Sequence, residues 1–266
     1  MPELPDVESF RAVLSSCAGG RTIRRVEVYD TGVLHEVSER RLRHDLTGRT
    51  FQEPERHGKW LIAGTDGPTV LLHFGMTGML VCRDRGEGLH PHDRLAFEMD
   101  SGCRLRYRDQ RKLKGLWLAD DSGVAKLLRT QGPDAADIGR DDFEALLSGR
   151  RGGIKSLLTD QSRLAGLGNL LADEILWRAR LAPSHIAGEI DEDRRRRLYT
   201  EMRRTLRSAI GAGRVPARAS WLTGHRDIPA RHGDSREGRC PRCGTALRHG
   251  RVAGRGTVWC PHCQPD

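Results

Sequence analysis

The spacing of apolar positions changes partway along the chain. Over residues 5–14, Val7, Phe10, Val13 and Leu14 fall at helical spacing, and Pro5 and Asp6 suit a helix start. After Gly19-Gly20 the pattern becomes β-like. Ile23, Val26 and Val28 predict a strand, followed by strands at 60–63, 69–74, 95–99 and 104–108. In the last of these, Leu105 and Tyr107 alternate with arginines. Gly- and Asp-rich turns separate the runs, and short strands so divided predict a sandwich or barrel. From about residue 134 the period becomes helical, with helices expected at 141–147, 154–159, 170–177 and 191–210. The last opens on Asp191, Glu192 and Asp193, which complement the positive end of a helix dipole. Leu198, Met202, Leu206 and Ile210 then form one stripe for burial, and Gly211 and Gly213 end the helix. Residues 214–238 lack periodicity and read as a loop or linker.

Charge follows the same division. Of the formal +9, residues 1–149 contribute −2 and residues 150–266 contribute +11. A basic half of this size favours a polyanion through phosphate neutralisation and counterion release. The Arg194–Arg197 run, by contrast, reads as a solvated helix face. No apolar run approaches the roughly 18 residues of a membrane span. The opening MPELPDVE has neither the basic start nor the apolar stretch of a secretory signal, so a soluble cytoplasmic protein is expected.

Four of the seven cysteines, Cys240, Cys243, Cys260 and Cys263, form C-x2-C-x16-C-x2-C. A hairpin of this length brings the second pair opposite the first around one tetrahedral zinc ion. Four thiolates close the site, so this metal is structural and the chemistry lies elsewhere. That cluster reads as metal binding rather than a disulfide framework, and the scattered Cys17, Cys82 and Cys103 read as small core residues. At the other end, removal of Met1 would leave Pro2 with a secondary amine. Such α-amino groups titrate near 7.7–8.0 as a rough reference, so a usable fraction is neutral near pH 7. An amine attacking a sugar C1′ forms an iminium adduct, and Glu3 stands beside it as a candidate acid or base.

MPELPDVE at the start, HFGMTG at 73–78, GLGN at 166–169 with Glu174 after it, and the four-cysteine ribbon occur in this order. In this combination the chain resembles the formamidopyrimidine-DNA glycosylase / endonuclease VIII family over nearly its whole length. The resemblance implies an α+β protein. Residues 1–133 would form a catalytic β-sandwich domain with an N-terminal helix, 134–225 a helix–two-turns–helix DNA-binding domain, and 226–266 a zinc finger. The partner it implies is double-stranded DNA with damaged bases or abasic sites, bound by a monomer.

The resemblance also implies roles. Pro2 is the nucleophile and Glu3 the acid/base residue. Lys59, in HGKW, contacts phosphate near the lesion, and Glu174 supports the reaction centre. Lys155, Gly166, Gly168, Asn169 and Arg255 contact the DNA backbone. Met76 fills the space left by a flipped base, which must leave the stack before its sugar can be attacked. Arg111 reads the orphaned partner base. The chain departs from the formamidopyrimidine branch at Asp109-Gln110-Arg111-Lys112-Leu113-Lys114-Gly115. There Leu113 stands for the usual wedge Phe and one residue is added before the Gly. The segment DQSRLAGLGN and the EILW run look more like the endonuclease VIII branch. The expected activity is a bifunctional glycosylase and abasic-site lyase, with oxidised and ring-opened purines placed ahead of oxidised pyrimidines. The alternative is a non-catalytic zinc-containing DNA-damage-binding protein.

Overall fold

The first helix, α1 (Leu4–Ala18), begins where Glu3 leaves the extended region, and its first turn is tied by Asp6, whose Oδ2 accepts the Glu3 N–H at 2.9 Å. It ends at Gly19, where an added Cβ would lie 2.6 Å from the Ser15 carbonyl oxygen. The helix runs one turn beyond the expected 5–14 because Cys17 and Ala18 are also buried. The computed structural model describes residues 1–84, 86–226 and 238–265.

Nine strands follow α1: β1 (Ile23–Val28), β2 (Leu34–His35), β3 (Glu55–His57), β4 (Trp60–Ala63), β5 (Thr69–His73), β6 (Met79–Arg83), β7 (Asp93–Met99), β8 (Arg104–Arg108) and β9 (Leu116–Ala119). They form two sheets, ordered β1-β7-β8-β6 and β2-β9-β5-β4-β3. In β8 the alternation acts as read: Leu105 and Tyr107 pair with Phe97 and Leu95 of β7 and turn into the core. Leu61, Ala63, Val70 and Leu72 enter the same core from the second sheet. Helix α1 packs on β6 and β8 of one sheet and on β3 and β4 of the other. The shared core accounts for the expected sandwich, since each sheet has one apolar face to hide. Of the arginine face of β8, Arg106 is fully buried, paired with Asp93 at 3.2 Å and donating to the carbonyls of Glu87 and Gly88.

The scattered cysteines require a correction. Cys17 and Cys82 form a disulfide across 65 residues, with Cα atoms 5.9 Å apart. The end of α1 lies on β6, so tertiary packing brings together two residues that no local spacing relates. Cys103 remains a free, partly buried thiol. Helices α2 (Glu39–Leu46) and α3 (Asp121–Leu128) were also missed. The first buries only Leu42 and Leu46, and the second buries no residue fully, so neither carries a stripe long enough to read.

Backbone contacts divide the chain into two compact units, Met1–Thr130 and Gln131–Asp266. The second holds α4 (Arg140–Leu147), α5 (Ile154–Thr159), α6 (Asn169–Ala179), α7 (Glu192–Gly211) and the hairpin β10 (Arg248–Val252)–β11 (Arg255–Trp259). Its centre is α6, where every residue from Leu171 to Trp177 is buried. Helix α7 is capped by Asp191, which accepts the Arg194 N–H at 2.8 Å. Its Leu198, Met202 and Leu206 are buried as expected, while Ile210 is only half-buried. Of the expected 214–238 loop, Leu222–His225 form a 3-10 turn, and residues 227–237 lie outside the described residues. No helix among the described residues is long and apolar enough to cross a membrane.

Candidate functional site

In the first unit, Pro2 is half-buried and Glu3 fully buried at the head of α1, while Met1 is half-exposed. Helix α1 also fixes the hairpin carrying Lys59. Glu8 binds Arg56 at 3.1 Å, and Arg56 donates to the Gly58 carbonyl at 3.1 Å. Lys59 therefore stands in a two-residue turn between His57 and Trp60 that is anchored to the helix bearing Pro2. Gly58 opens this turn at φ +56°, the left-handed region that a glycine adopts without strain. His73 is pushed down to about 4, first by burial and then by the charges of Lys114 and Lys59. Its neutral Nδ1 accepts the Gly75 N–H at 3.1 Å and so shapes the loop that follows β5.

That loop carries Met76 and meets the segment carrying Arg111 and Leu113. Met76 and Leu113 are exposed large apolar residues, at 39% and 49%. Arg111 Nη1 lies 2.9 Å from Met76 Sδ. An added Cβ at Gly75 would lie 3.5 Å from Leu113 Cβ, which places the two loops side by side. The organiser is Asp109, which the sequence reading passed over. This buried carboxylate accepts the Thr77 hydroxyl and the Arg111 N–H, the latter at 3.1 Å. In this loop Lys112 takes φ +53° and binds Asp30 at 2.9 Å. Gly115 then closes the loop so tightly that a Cβ would lie 2.0 Å from the Val33 carbonyl oxygen.

In the second unit, the expected backbone-contacting residues gather around the Gly256 carbonyl. It accepts from Asn169 Nδ2 at 2.8 Å, Arg226 at 2.9 Å and Lys155 Nζ at 3.2 Å. Gly168 is the N-cap of α6, placing Asn169 at the first helical position. Gly166 takes φ +109° and donates to Gln161, whose amide in turn bonds the Leu167 carbonyl. Arg255 is exposed at the start of β11 and is steadied by Thr159 Oγ1 at 3.1 Å. The Lys155 side chain is fully buried, 2.6 Å from Asp173 and 2.7 Å from Thr257 Oγ1. Desolvation pulls its ammonium below the ordinary range and pushes the Asp173 carboxyl up, and the ion pair opposes both shifts. From this position Lys155 holds the hairpin that presents Arg255.

Glu174 is also fully buried. It accepts from Arg178 at 2.8 Å and from the Thr223 N–H at 3.3 Å, so it braces the turn leading to Arg226. Burial pushes its carboxyl up to about 7. Asp173, Arg226 and Thr257 were not singled out from sequence. Arg226 pairs with Asp173, and Asp173 also accepts the Val258 N–H. One available signal was Asp173 itself, an acid on a helix face otherwise buried and apolar.

Cys240, Cys243, Cys260 and Cys263 place their sulfurs within 4.8 Å of one another. The sulfur pairs given by Cys243–Cys260 and Cys263–Cys243 are 3.5 Å apart, and Cys240–Cys263 is 3.9 Å. Thiolates bound tetrahedrally to zinc at about 2.3 Å stand roughly 3.8 Å apart, so the donor set and spacing fit this ion. Trp177 of α6 donates its indole N–H to Cys240 Sγ at 3.3 Å and packs with Leu222, Leu247 and Val258, seating the ribbon on the helix. The hairpin turns at Ala253 and Gly254, both at positive φ, which sets Arg255 opposite Val252.

Three family models match in the same order as these parts: the formamidopyrimidine-DNA glycosylase N-terminal domain over residues 1–116, its H2TH domain over 130–219, and the zinc finger found in FPG and IleRS over 238–265. A formamidopyrimidine-DNA glycosylase of Symbiobacterium thermophilum is 37% identical, with 100% of this chain and 90% of the relative covered. The one from Moorella thermoacetica is 36% identical, with 93% of each covered. Among solved structures, the Lactococcus lactis Fpg in complex with abasic-site DNA matches with a TM-score of 0.87 at 28% identity, and 100% of both chains is covered. A Lactococcus lactis mutant bound to Fapy-dG-containing DNA matches with a TM-score of 0.84, also at 28% identity and with 100% of both chains covered. The sandwich headed by Pro2 and Glu3, the α6 loop and the four-cysteine ribbon thus agree with models that together span most of the sequence, and the chain belongs to the formamidopyrimidine-DNA glycosylase family.

Proposed function

We propose that this chain excises oxidised bases from duplex DNA through a Schiff base on Pro2, taking formamidopyrimidines and oxidised purines ahead of oxidised pyrimidines. As a member of its family it is a DNA glycosylase with abasic-site lyase activity. In this reading residues 1–133 carry the catalysis, 134–225 the helical DNA contacts and 226–266 the zinc finger.

The Pro2 nitrogen attacks C1′ of the flipped nucleotide, the glycosidic bond breaks with its electron pair leaving on the base, and the base takes up the proton that the Pro2 nitrogen gives up. Glu3 gives a proton to the sugar ring oxygen as the ring opens, and the Pro2 nitrogen and C1′ become an iminium. That iminium draws electrons from C2′, so loss of a C2′ proton expels the 3′ phosphate. A second elimination expels the 5′ phosphate, and water then hydrolyses the iminium to free Pro2. The observation that best supports this reading is the pairing at the head of α1: a half-buried Pro2 next to a fully buried Glu3. A carboxyl beside the nucleophile is within reach of the protons that the reaction moves. Lys59 supplies positive charge from its anchored hairpin turn. Met76 and Leu113 fill the stack, and Arg111 meets the orphaned base. Asn169 and Arg255 hold the backbone, while Glu174 braces the turn to Arg226 that joins them. The zinc ribbon positions Arg255 and supplies no reacting group.

Two experiments test the proposal. Borohydride should trap the native protein on an abasic-site duplex, and an N-terminally extended protein should give no adduct. In a panel of single-lesion duplexes, ring-opened and oxidised purines should be released fastest. Release of pyrimidine lesions alone would overturn the substrate order while leaving the trapping result intact.

A further inference from the structure

The Arg194–Arg197 run does not behave as one solvated face. Arg195 turns inward, donating to the carbonyls of Ile190 and Gly188. Arg196 pairs with Glu192 and Asp193. Arg194 and Arg197, three residues apart on α7, instead line a cavity of about 530 Å³ with Arg180, Arg242, Ala179 and Pro265, and with Cys243, His262 and Cys263 of the ribbon. Four guanidiniums therefore share one concavity, and all four residues are exposed.

Their charges are poorly neutralised. Among the described residues, only Arg194 of the four has a carboxylate within salt-bridge distance, Asp191 at 3.2 Å. Arg242 is fixed by stacking at 4.4 Å over the Trp177 ring and by donating to the Trp177 carbonyl at 3.1 Å. Arg197 reaches the Arg178 carbonyl at 3.5 Å. Arg180 caps the end of α6 in the left-handed conformation, at φ +60°. That geometry costs an arginine strain that a glycine or asparagine would avoid. The carbonyls at a helix C-terminus carry partial negative charge, which draws cations to this end. Four thiolates around a zinc ion would add a net charge of −2 beside the cavity, and Asp191 offsets Arg194; four guanidiniums still leave the cavity positive, so an anion is the ligand it suits.

We propose that this cavity binds phosphates of a second DNA segment, apart from the one held at Asn169 and Arg255. Asn169 opens α6 and Arg180 follows its last residue, so about 16 Å of helix separates the two clusters. One duplex phosphate at the Asn169 end does not reach the other end of α6. Guanidinium forks suit phosphate oxygens better than a compact ammonium does. A second contact of this kind strengthens sequence-independent binding, which the salt dependence of affinity reports. The inference stands independently of any chemistry at Pro2.

The test uses the full-length zinc-loaded protein with Arg180→Gln and Arg197→Gln combined, and Arg196→Gln as the control. Zinc content and melting temperature of both proteins verify folding. Fluorescence anisotropy then follows binding to a short abasic-site duplex and to a long undamaged duplex across a salt series. On the long duplex the double variant should lose roughly 2 units of log–log salt slope, about 0.9 for each phosphate released. Between 50 and 200 mM salt its affinity should then fall about tenfold less than that of the native protein. The short duplex and the rate of abasic-site cleavage should be unchanged, and the control should match the native protein throughout. An unchanged slope on the long duplex would overturn the proposal. So would a slope change equal on both duplexes, which would place these arginines on the primary DNA track. A site that inorganic phosphate protects against heat, with no change on long DNA, would be a small-anion pocket and would also overturn it.

Discussion

The two units hold the residues proposed to face DNA by opposite means. In the sandwich, Met76, Arg111 and Leu113 are exposed, and their order comes from one buried carboxylate, Asp109, that pins the backbone beneath them. In the helical unit the charges themselves are buried. Lys155, Asp173 and Glu174 are almost entirely enclosed, while Arg255 beside them is exposed and Asn169 half-buried. The first arrangement leaves side chains free to move into a disturbed base stack. The second fixes a hairpin and a helix start against each other, which suits a rigid grip on backbone. Stability and binding are therefore separable in the first unit and tied together in the second.

The largest effect expected is loss of the metal. Chelation, or Cys260→Ser, removes on the order of 10 kcal/mol of zinc-binding energy from the ribbon. DNA binding should be abolished, while the sandwich unit keeps its own transition in a calorimetric scan. Retained binding without zinc would break the comparison.

Next in size is Asp173→Asn. It leaves the Lys155 ammonium buried without its carboxylate, at a cost of about 3–5 kcal/mol. Urea unfolding measures the cost, and a double change with Lys155→Met should recover much of it. A loss well under 1 kcal/mol would show that the pair is not the brace described here.

Glu174→Gln sharpens the same point through pH. The native carboxyl is raised to about 7 by burial, against 4.5 for the ordinary group. The folded state thus binds this proton more tightly than the unfolded chain does. The stabilisation is complete below about pH 4.5 and is lost as pH rises through about 7. The stability of native protein relative to the Gln variant should fall across that window by on the order of 3 kcal/mol or less. A flat difference between pH 4 and 8 would mean that Glu174 titrates normally.

Asp109→Asn should cost about 1–3 kcal/mol, since it weakens the buried acceptor of both Thr77 and Arg111. Smallest of all on stability is Leu113→Ala. At an exposed site it should change unfolding by less than about 0.5 kcal/mol, yet slow base release. An equal loss in Leu113→Ala and Asp109→Asn unfolding would contradict the division of labour between surface and support.

What the sequence made legible follows from the range of the interactions. Strand β8 and helices α5 and α7 declare themselves through local period, and the ribbon declares itself through thiol spacing, because each is fixed by neighbours in the chain. The burial of Lys155 was not legible, since its partners Asp173 and Thr257 lie 18 and 102 residues away. Asp109 was passed over because an acid in a turn looks solvated until Thr77 and Tyr107 are seen around it. The Cys17–Cys82 bond and the grouping of Arg180 and Arg242 with Arg194 and Arg197 depend in the same way on packing between distant segments. The resemblance to a family named exposed and buried residues alike, but it did not reveal which of their charges would be inside.

The central claim is that the N-terminal secondary amine of Pro2 carries the covalent step. The most direct measurement is to trap native protein on an abasic-site duplex with borohydride, digest both components, and locate the retained sugar fragment by mass spectrometry. The account predicts the added mass on a peptide beginning at Pro2, at its amino nitrogen. An adduct on the side chain of Lys59 or any other lysine, with the N-terminal peptide unmodified, would contradict it.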